Sequence, residues 1–200
     1  HTLTVRIRQK DDPGLRVGIF NSEVEGTGAM WRASAWTAVT LASLLLGVNP
    51  ERFEFSFDAG GGRIDGPSAG GLTTVAVLAA LLGDPVREDA AMTGTINPDG
   101  TIGPVGGIPH KIDGAAKAGK KLVLIPAGQR YDYDTNLKRQ VDLVEVGKKK
   151  GVEVRQVASV FEAYEILTGK PLPRPQRPGT TEIPPRAFDK LRASAIAWLA

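Results

Sequence analysis

One stretch, Asp65-Gly66-Pro67-Ser68-Ala69-Gly70-Gly71, stands directly ahead of a helical pattern and constrains the chain more than any other. Pro67 pre-sets a helical φ and has no N–H to lose, which suits the first position of a helix. From Leu72 the apolar positions recur as Leu72, Val75, Leu78, Ala79 and Leu82, a helical stripe that stops at Gly83. Ser68 therefore falls in a first turn, where unpaired backbone N–H groups and the positive end of the helix dipole gather. Donors of that kind can hold the oxyanion of a tetrahedral intermediate. The glycines around it (Gly60, Gly61, Gly62, Gly66, Gly70 and Gly71) would let a substrate backbone approach closely. Taken alone, a Pro-Ser before an apolar run is a helix cap.

A nucleophilic serine needs a base, and the usual one is scarce. The chain has two His, His1 and His110, and no Cys. A zinc site is thereby disfavoured, and no metal or cofactor is expected. Lys111 is the better base, because a lysine can accept a proton once its pKa falls. Bringing a lysine from about 10.4 into the neutral range takes about 4 kcal/mol. Pro109 puts Lys111 in a first turn too, where the dipole disfavours an ammonium by only about 0.3–1 kcal/mol. Burial must therefore supply most of the depression.

Three ordered motifs decide the reading: Gly66-Pro67-Ser68-Ala69-Gly70, then Ala91-Met92-Thr93-Gly94, then Pro104-Val105-Gly106-Gly107-Ile108-Pro109-His110-Lys111. In that order they resemble the proteolytic domain of the Lon protease family. The similarity extends through Gly83-Asp84-Pro85-Val86-Arg87 and the run from Ala115 to Pro126, and covers roughly residues 26 to 169. The resemblance implies a Ser-Lys peptidase in which Ser68 matches the nucleophile and Lys111 the general base. Thr93 matches the threonine that positions that lysine, and Asp65 the acid ahead of the nucleophile. It also implies a two-layer architecture and assembly of identical chains into rings, often hexameric, with polypeptides as substrates.

Two positions depart from the ATP-dependent members. Thr95 stands where those usually carry Glu, and the helix from Ala29 lacks an acidic residue near its start. The run Asn97-Pro98-Asp99-Gly100-Thr101-Ile102-Gly103-Pro104 is more similar to Lon-like proteases without a fused ATPase, several of them exported or membrane-anchored. A membrane-associated or extracytoplasmic setting is thus favoured over the cytoplasm. A separate ATPase or an anchoring segment outside this chain is the corresponding expectation. No G-x-x-x-x-G-K-S/T occurs, so the chain carries no ATPase motif of that kind. Two other readings stay open: a non-catalytic assembly module that kept the motif, and a nucleotide-binding small-molecule kinase whose glycine loop cradles phosphate.

With 200 residues, 42% hydrophobic and 24% charged, the chain can bury one substantial core. A formal charge of +3 gives no ground for a nucleic-acid partner. Neither a signal peptide nor a membrane-length apolar run is present, and the chain opens without Met, as a piece of a longer protein would. The expected fold is α+β, a twisted mixed sheet with helices on one side. Residues 2–9 and Leu15 to Phe20 read as a strand and its returning partner around Asp11-Asp12-Pro13-Gly14. Gly26-Thr27-Gly28 then leads into a helix through Leu46, with Met30, Thr37, Leu41 and Leu44 on one face and Trp31 and Trp36 as core or interface aromatics. Phe53, Phe55 and Phe57 alternate as a strand.

Further on, Ala91 to Ile96 and Thr101 to Val105 should pair around a type I turn at Pro98-Asp99-Gly100. The Lys111 helix should end near Gly119 and be followed by a buried strand, Leu122 to Ile125. Tyr133 to Gly147 reads as helix, and the paired Asp132 and Asp134 at its entry are too few for a metal site. Val152, Val154 and Val157 mark a last strand, and Ser159 to Glu162 a capping box for a helix ending at Gly169. The domain thus spans residues 1–170. Six prolines between Pro171 and Pro185 make 171–186 a stiff linker, and Phe188, Leu191, Ala195 and Trp198 stripe a short helix over 187–200.

Overall fold

A computed structural model describes residues 2–20, 28–60, 65–173 and Asp189. The expected linker over 171–186 lies outside the described residues beyond residue 173, and the expected helix over 187–200 does so apart from Asp189. Three strands open the fold: β1 (Thr2–Gln9), β2 (Arg16–Phe20) and, after helix α1 (Ala29–Leu46), β3 (Phe53–Gly60). They form one sheet in the order β1-β3-β2, with β1 antiparallel and β2 parallel to β3. The expected β1–β2 hairpin does not form. The alternating side chains Phe55, Phe57 and Ala59 are fully buried, whereas β1 and β2 carry no fully buried position. The strand with the most apolar surface to hide takes the centre, and the other two take its edges.

Helix α1 ends at Gly47 in the left-handed conformation. Its buried side is Trp31, Ala35, Ala38, Val39, Leu41 and Ala42. Met30 and Leu44 are exposed, so the expected stripe gives way at both ends, and of the two tryptophans only Trp31 enters the core. Small alanines let α1 approach α2 (Gly70–Leu82), which a short 3₁₀ turn, Pro67–Ala69, introduces.

The strand expected from Ala91 to Ile96 is broken. β4 (Ala90–Met92) ends before Thr93, and β5 (Thr95–Ile96) leaves to pair with β6 (Ile102–Gly103). The turn between β5 and β6 is closed by Gly100 N–H donating to Asn97 C=O at 2.9 Å, with Pro98 and Asp99 in the central positions as expected. Helix α3 (Ile108–Lys117) carries Lys111, and Gly119 follows it with φ +72°. β7 (Leu122–Pro126) is buried throughout.

Residues 131–142 form a hairpin, β8 (Tyr131–Asp134) and β9 (Arg139–Asp142), and only Leu143–Lys149 is helical, as α4. The expected helix from Tyr133 is wrong for a local reason. Asp134 Oδ1 accepts from the N–H groups of Asn136 and Leu137, and Lys138 takes φ +52°, so a turn forms with neither glycine nor Asn-Gly to announce it. Asp142 then caps α4 through Val144 N–H. β10 (Glu153–Val157) and α5 (Val160–Thr168) complete the order, with Ser159 Oγ accepting from Glu162 N–H as the N-cap. The packed body reaches Leu172, which is 5% exposed and joins the main core.

β10, β7 and β4 make a parallel sheet. Leu122 and Leu124 of β7 face a core shared with α1, α2 and α5. Val123 and Ile125 face a second core with α3 and α4. The α+β class is as expected, but this sheet is covered by helices on both faces rather than one, as a parallel sheet requires. The interruption of β4 at Thr93 brings the break in this sheet beside both the start of α3 and the turn ahead of α2.

Candidate active site

Ser68 sits in the middle of the 3₁₀ turn that introduces α2. Pro67 opens that turn as expected, and the Ser68 N–H precedes its first i→i+3 bond, so it has no intrahelical acceptor. The turn is pinned from the broken strand. Gly94 N–H donates to the Ser68 carbonyl at 2.8 Å, and Gly71 N–H donates back to the Gly94 carbonyl at 3.0 Å.

Two glycines have a role other than the expected one. Gly70 and Gly71 are buried, and a Cβ on Gly70 would lie 2.7 Å from Ser34 Oγ and 3.0 Å from the Ile96 backbone N. A Cβ on Gly71 would lie 2.6 Å from Met92 Cε. Their missing side chains make room for the protein's own core, not for a substrate. Gly66 is different: its φ is +132° and nothing stands within 4 Å of its Cβ position. Gly61 and Gly62 lie outside the described residues.

Thr93 is 5% exposed, at the point where β4 ends. Its N–H continues the sheet by donating to Leu124 C=O at 3.0 Å. Its hydroxyl donates to the Ser68 carbonyl over 3.3 Å and accepts from Lys111 Nζ at 3.0 Å. Lys111 is half-buried in the first turn of α3, and that burial pushes its pKa down from the ordinary lysine value. The neighbouring Asp132 carboxylate opposes the depression. Among the described residues, the amine hydrogen-bonds to Thr93 and not to Ser68 Oγ.

Asp65, Ser68, Thr93 and Lys111 line one cavity of about 430 Å³. Leu3, Leu72, Met92 and Val123 supply apolar wall, and Lys120 stands at the same cavity. Asp65 is exposed and rests on the start of α1, so close that a Cβ on Gly28 would lie 2.0 Å from its Oδ1. α1 has no acidic residue in its first turn, and Asp65 brings a carboxylate to that positive end from elsewhere in the chain.

Sequence reasoning missed the residues that hold the lysine helix from outside. Gly107, the N-cap of α3, has no side chain to offer. Asp132 Oδ2 accepts from Ile108 N–H at 2.9 Å in its place. Gln129 grips Val105 on both sides, its Oε1 accepting from the N–H and its Nε2 donating to the C=O, each at 2.9 Å. Thr135 Oγ1 lies 2.7 Å from His110 Nε2. A glycine N-cap was the one available signal, and it does not say where the acceptor comes from. Asp132 and Asp134 satisfy backbone donors, and no group of three or more His, Cys, Asp or Glu suited to a metal occurs among the described residues. None of the described helices is long and apolar enough to cross a membrane.

The profile of the Lon protease (S16) C-terminal proteolytic domain matches residues 51–161. Among curated proteins, the chain is 43% identical over 115 residues to a Lon protease of Methylocella silvestris, covering 54% of this chain and 14% of that protein. It is 36% identical over 133 residues to an archaeal Lon protease of Halobacterium salinarum, covering 62% of this chain and 19% of that one. A Lon protease of Trichlorobacter lovleyi is 32% identical over 155 residues, covering 73% of this chain and 18% of its own length. The aligned part is thus under a fifth of each of these relatives.

Proposed function

The chain belongs to the family of Lon protease C-terminal proteolytic domains, and on that premise we propose that it is a serine endopeptidase hydrolysing unfolded polypeptides through Ser68 and Lys111. The observation that carries the reading is the Lys111–Thr93 hydrogen bond of 3.0 Å, made inside the cavity that Ser68 also lines. Burial disfavours the ammonium there, so the amine is available as a base nearer neutral pH than an exposed lysine.

The steps follow from those positions. Neutral Lys111 takes the proton of Ser68 Oγ as the oxygen attacks the scissile carbonyl. The Ser68 N–H, free of an intrahelical acceptor, faces the developing oxyanion. Lys111 then hands its proton to the leaving amine, and the C–N bond breaks to give an acyl-serine. A water deprotonated by Lys111 attacks the ester, and Ser68 is released with its proton restored. Thr93 keeps one N–H of the amine turned towards itself, which leaves the lone pair for the serine. Asp65 supports the segment that delivers Ser68.

No phosphate-binding loop motif occurs in the sequence, so cleavage by this chain proceeds without ATP in this proposal. Assembly into a homo-oligomeric ring that encloses the site belongs to the same reading, as does a membrane-associated or extracytoplasmic setting. The test is release of peptides from casein without nucleotide. Turnover should be present in the wild type and absent in Ser68→Ala and Lys111→Ala proteins that keep the wild-type fold. Casein hydrolysis that survives Ser68→Ala would overturn the proposal.

A further inference from the structure

The hairpin of β8 and β9 and the residues leading into it have no part in the reaction, yet their side chains meet the segment that presents Lys111 at several points. Gln129, Asp132 and Thr135 engage Val105, Ile108 and His110 in that order, so contacts advance along both segments together. The central contact is the one with chemical consequence. Ile108 is the first residue of α3, Pro109 has no N–H, and Gly107 cannot cap. The Asp132 carboxylate therefore takes the first donor of the turn that carries Lys111. Its other oxygen accepts from Tyr133 N–H at 2.9 Å, which fixes the carboxylate's orientation.

We propose that Asp132 is a positioning residue for Lys111, holding the first turn of α3 through the Ile108 N–H and keeping a fixed negative charge beside the amine. The inference rests on Lys111 being the base, as proposed above.

Among the described residues, the charges around Lys111 leave Asp132 as the counter-charge. On its own helix, Asp113 is paired with Lys117 and with Lys150, the residue just past α4, and His110 meets Thr135. β4 and β7 present Ala91, Met92 and Val123 to the cavity, which carry no charge. Asp65 and Lys120 line the same cavity, Asp65 against the start of α1 and Lys120 with its Nζ donating to Glu88 C=O at 2.6 Å. Asp132 is the carboxylate that raises the lysine's proton affinity against the effect of burial. Burial and Asp132 thus act in opposite senses, and together they set the pH at which the neutral amine becomes available. Removing the charge while keeping an acceptor should make the base available at lower pH.

Asp132→Asn does this, because its amide oxygen can still accept from Ile108 N–H. The experiment compares the pH dependence of kcat/KM for wild type, Asp132→Asn and Asp132→Ala. It also follows the Lys111 side-chain titration by NMR in a Ser68→Ala background, assigned through Lys111→Arg. The Asn variant should show its acid limb and its Lys111 titration displaced to lower pH. At a pH on the wild-type limb it should be about threefold more active. The Ala variant, lacking the acceptor too, should lose kcat with little change in KM. Should the Asn protein fail to fold, Asp132→Ser, a short uncharged acceptor, takes its place in the same comparison. Coincident limbs and titrations in wild type and variant would overturn the role of Asp132. Activity retained in Lys111→Ala would instead overturn the base itself, and the NMR titration would still report whether Asp132 and Lys111 are coupled.

Discussion

Lys111 Nζ lies 3.0 Å from Thr93 Oγ1, and that hydroxyl donates its own hydrogen bond to the carbonyl of Ser68. A hydroxyl has one proton to donate, so Thr93 can only accept from the amine. Lys111 is thereby held with an N–H, not its lone pair, towards Thr93. Thr93→Val keeps the shape and removes the acceptor. It should lower kcat by about tenfold, the worth of one positioning hydrogen bond. Thr93→Ser should keep most of the rate. Steady-state kinetics on a fluorogenic peptide check both, and wild-type kcat in the Val protein would make Thr93 purely structural.

The lowered Lys111 pKa has a signed consequence for activity. The neutral amine is the working form, so kcat/KM should rise with pH through that pKa and level off above it. Lys111→Arg should be inactive at every pH, because a guanidinium stays protonated. Measurable hydrolysis by the Arg protein would remove Lys111 from the role of base.

Stability should respond to the same group in the opposite sense from an ordinary ion pair. The unfolded chain binds the lysine proton up to about pH 10.4, while the folded site releases it earlier. Stability from this group therefore rises with pH between the folded pKa and the unfolded one, and the penalty is constant below the folded value. Lys111→Met avoids that penalty. It should be more stable than wild type at pH 7, by a margin that shrinks by pH 10. Urea unfolding of both proteins at the two pH values measures the margin, and a margin independent of pH would mark Lys111 as a freely solvated lysine.

The glycines of the nucleophile turn give a purely steric test. Gly70 has helical φ and ψ, so alanine is allowed there by the backbone. Its Cβ would nonetheless press on Ser34 Oγ and the Ile96 backbone. Gly70→Ala should destabilise the protein by about 1–3 kcal/mol. Gly114, inside α3 with nothing within 4 Å of its Cβ position, is the control. Gly114→Ala should stabilise by about 0.5–1 kcal/mol through helix propensity. Thermal melts of the two variants should move in opposite directions, and equal shifts would refute the packing account.

What could be read from the sequence was what local chemistry determines. Pro67 before Ser68, Pro109 before Lys111, the Asn97–Gly100 turn and the Ser159 cap all appear where their residue types demand. The misreadings concern partners distant in the chain. β1 and β2 look like a hairpin, but β3, more than thirty residues on from β2, has the more buried face and comes between them. The hairpin at 131–142 was hidden by a turn built on Asp134 and a left-handed Lys138, not on glycine. The capping role of Asp132 is not legible locally because it serves a helix whose first residue lies 24 positions earlier.

The central claim is that Ser68 is a nucleophile and Lys111 its activator. Mass spectrometry after treatment with a serine-directed phosphonate tests it most directly. Wild type should gain one adduct, mapped to Ser68, and Lys111→Ala should gain almost none over the same time. Absence of label on Ser68 in the wild type, or equal labelling in the Lys111→Ala protein, would contradict it.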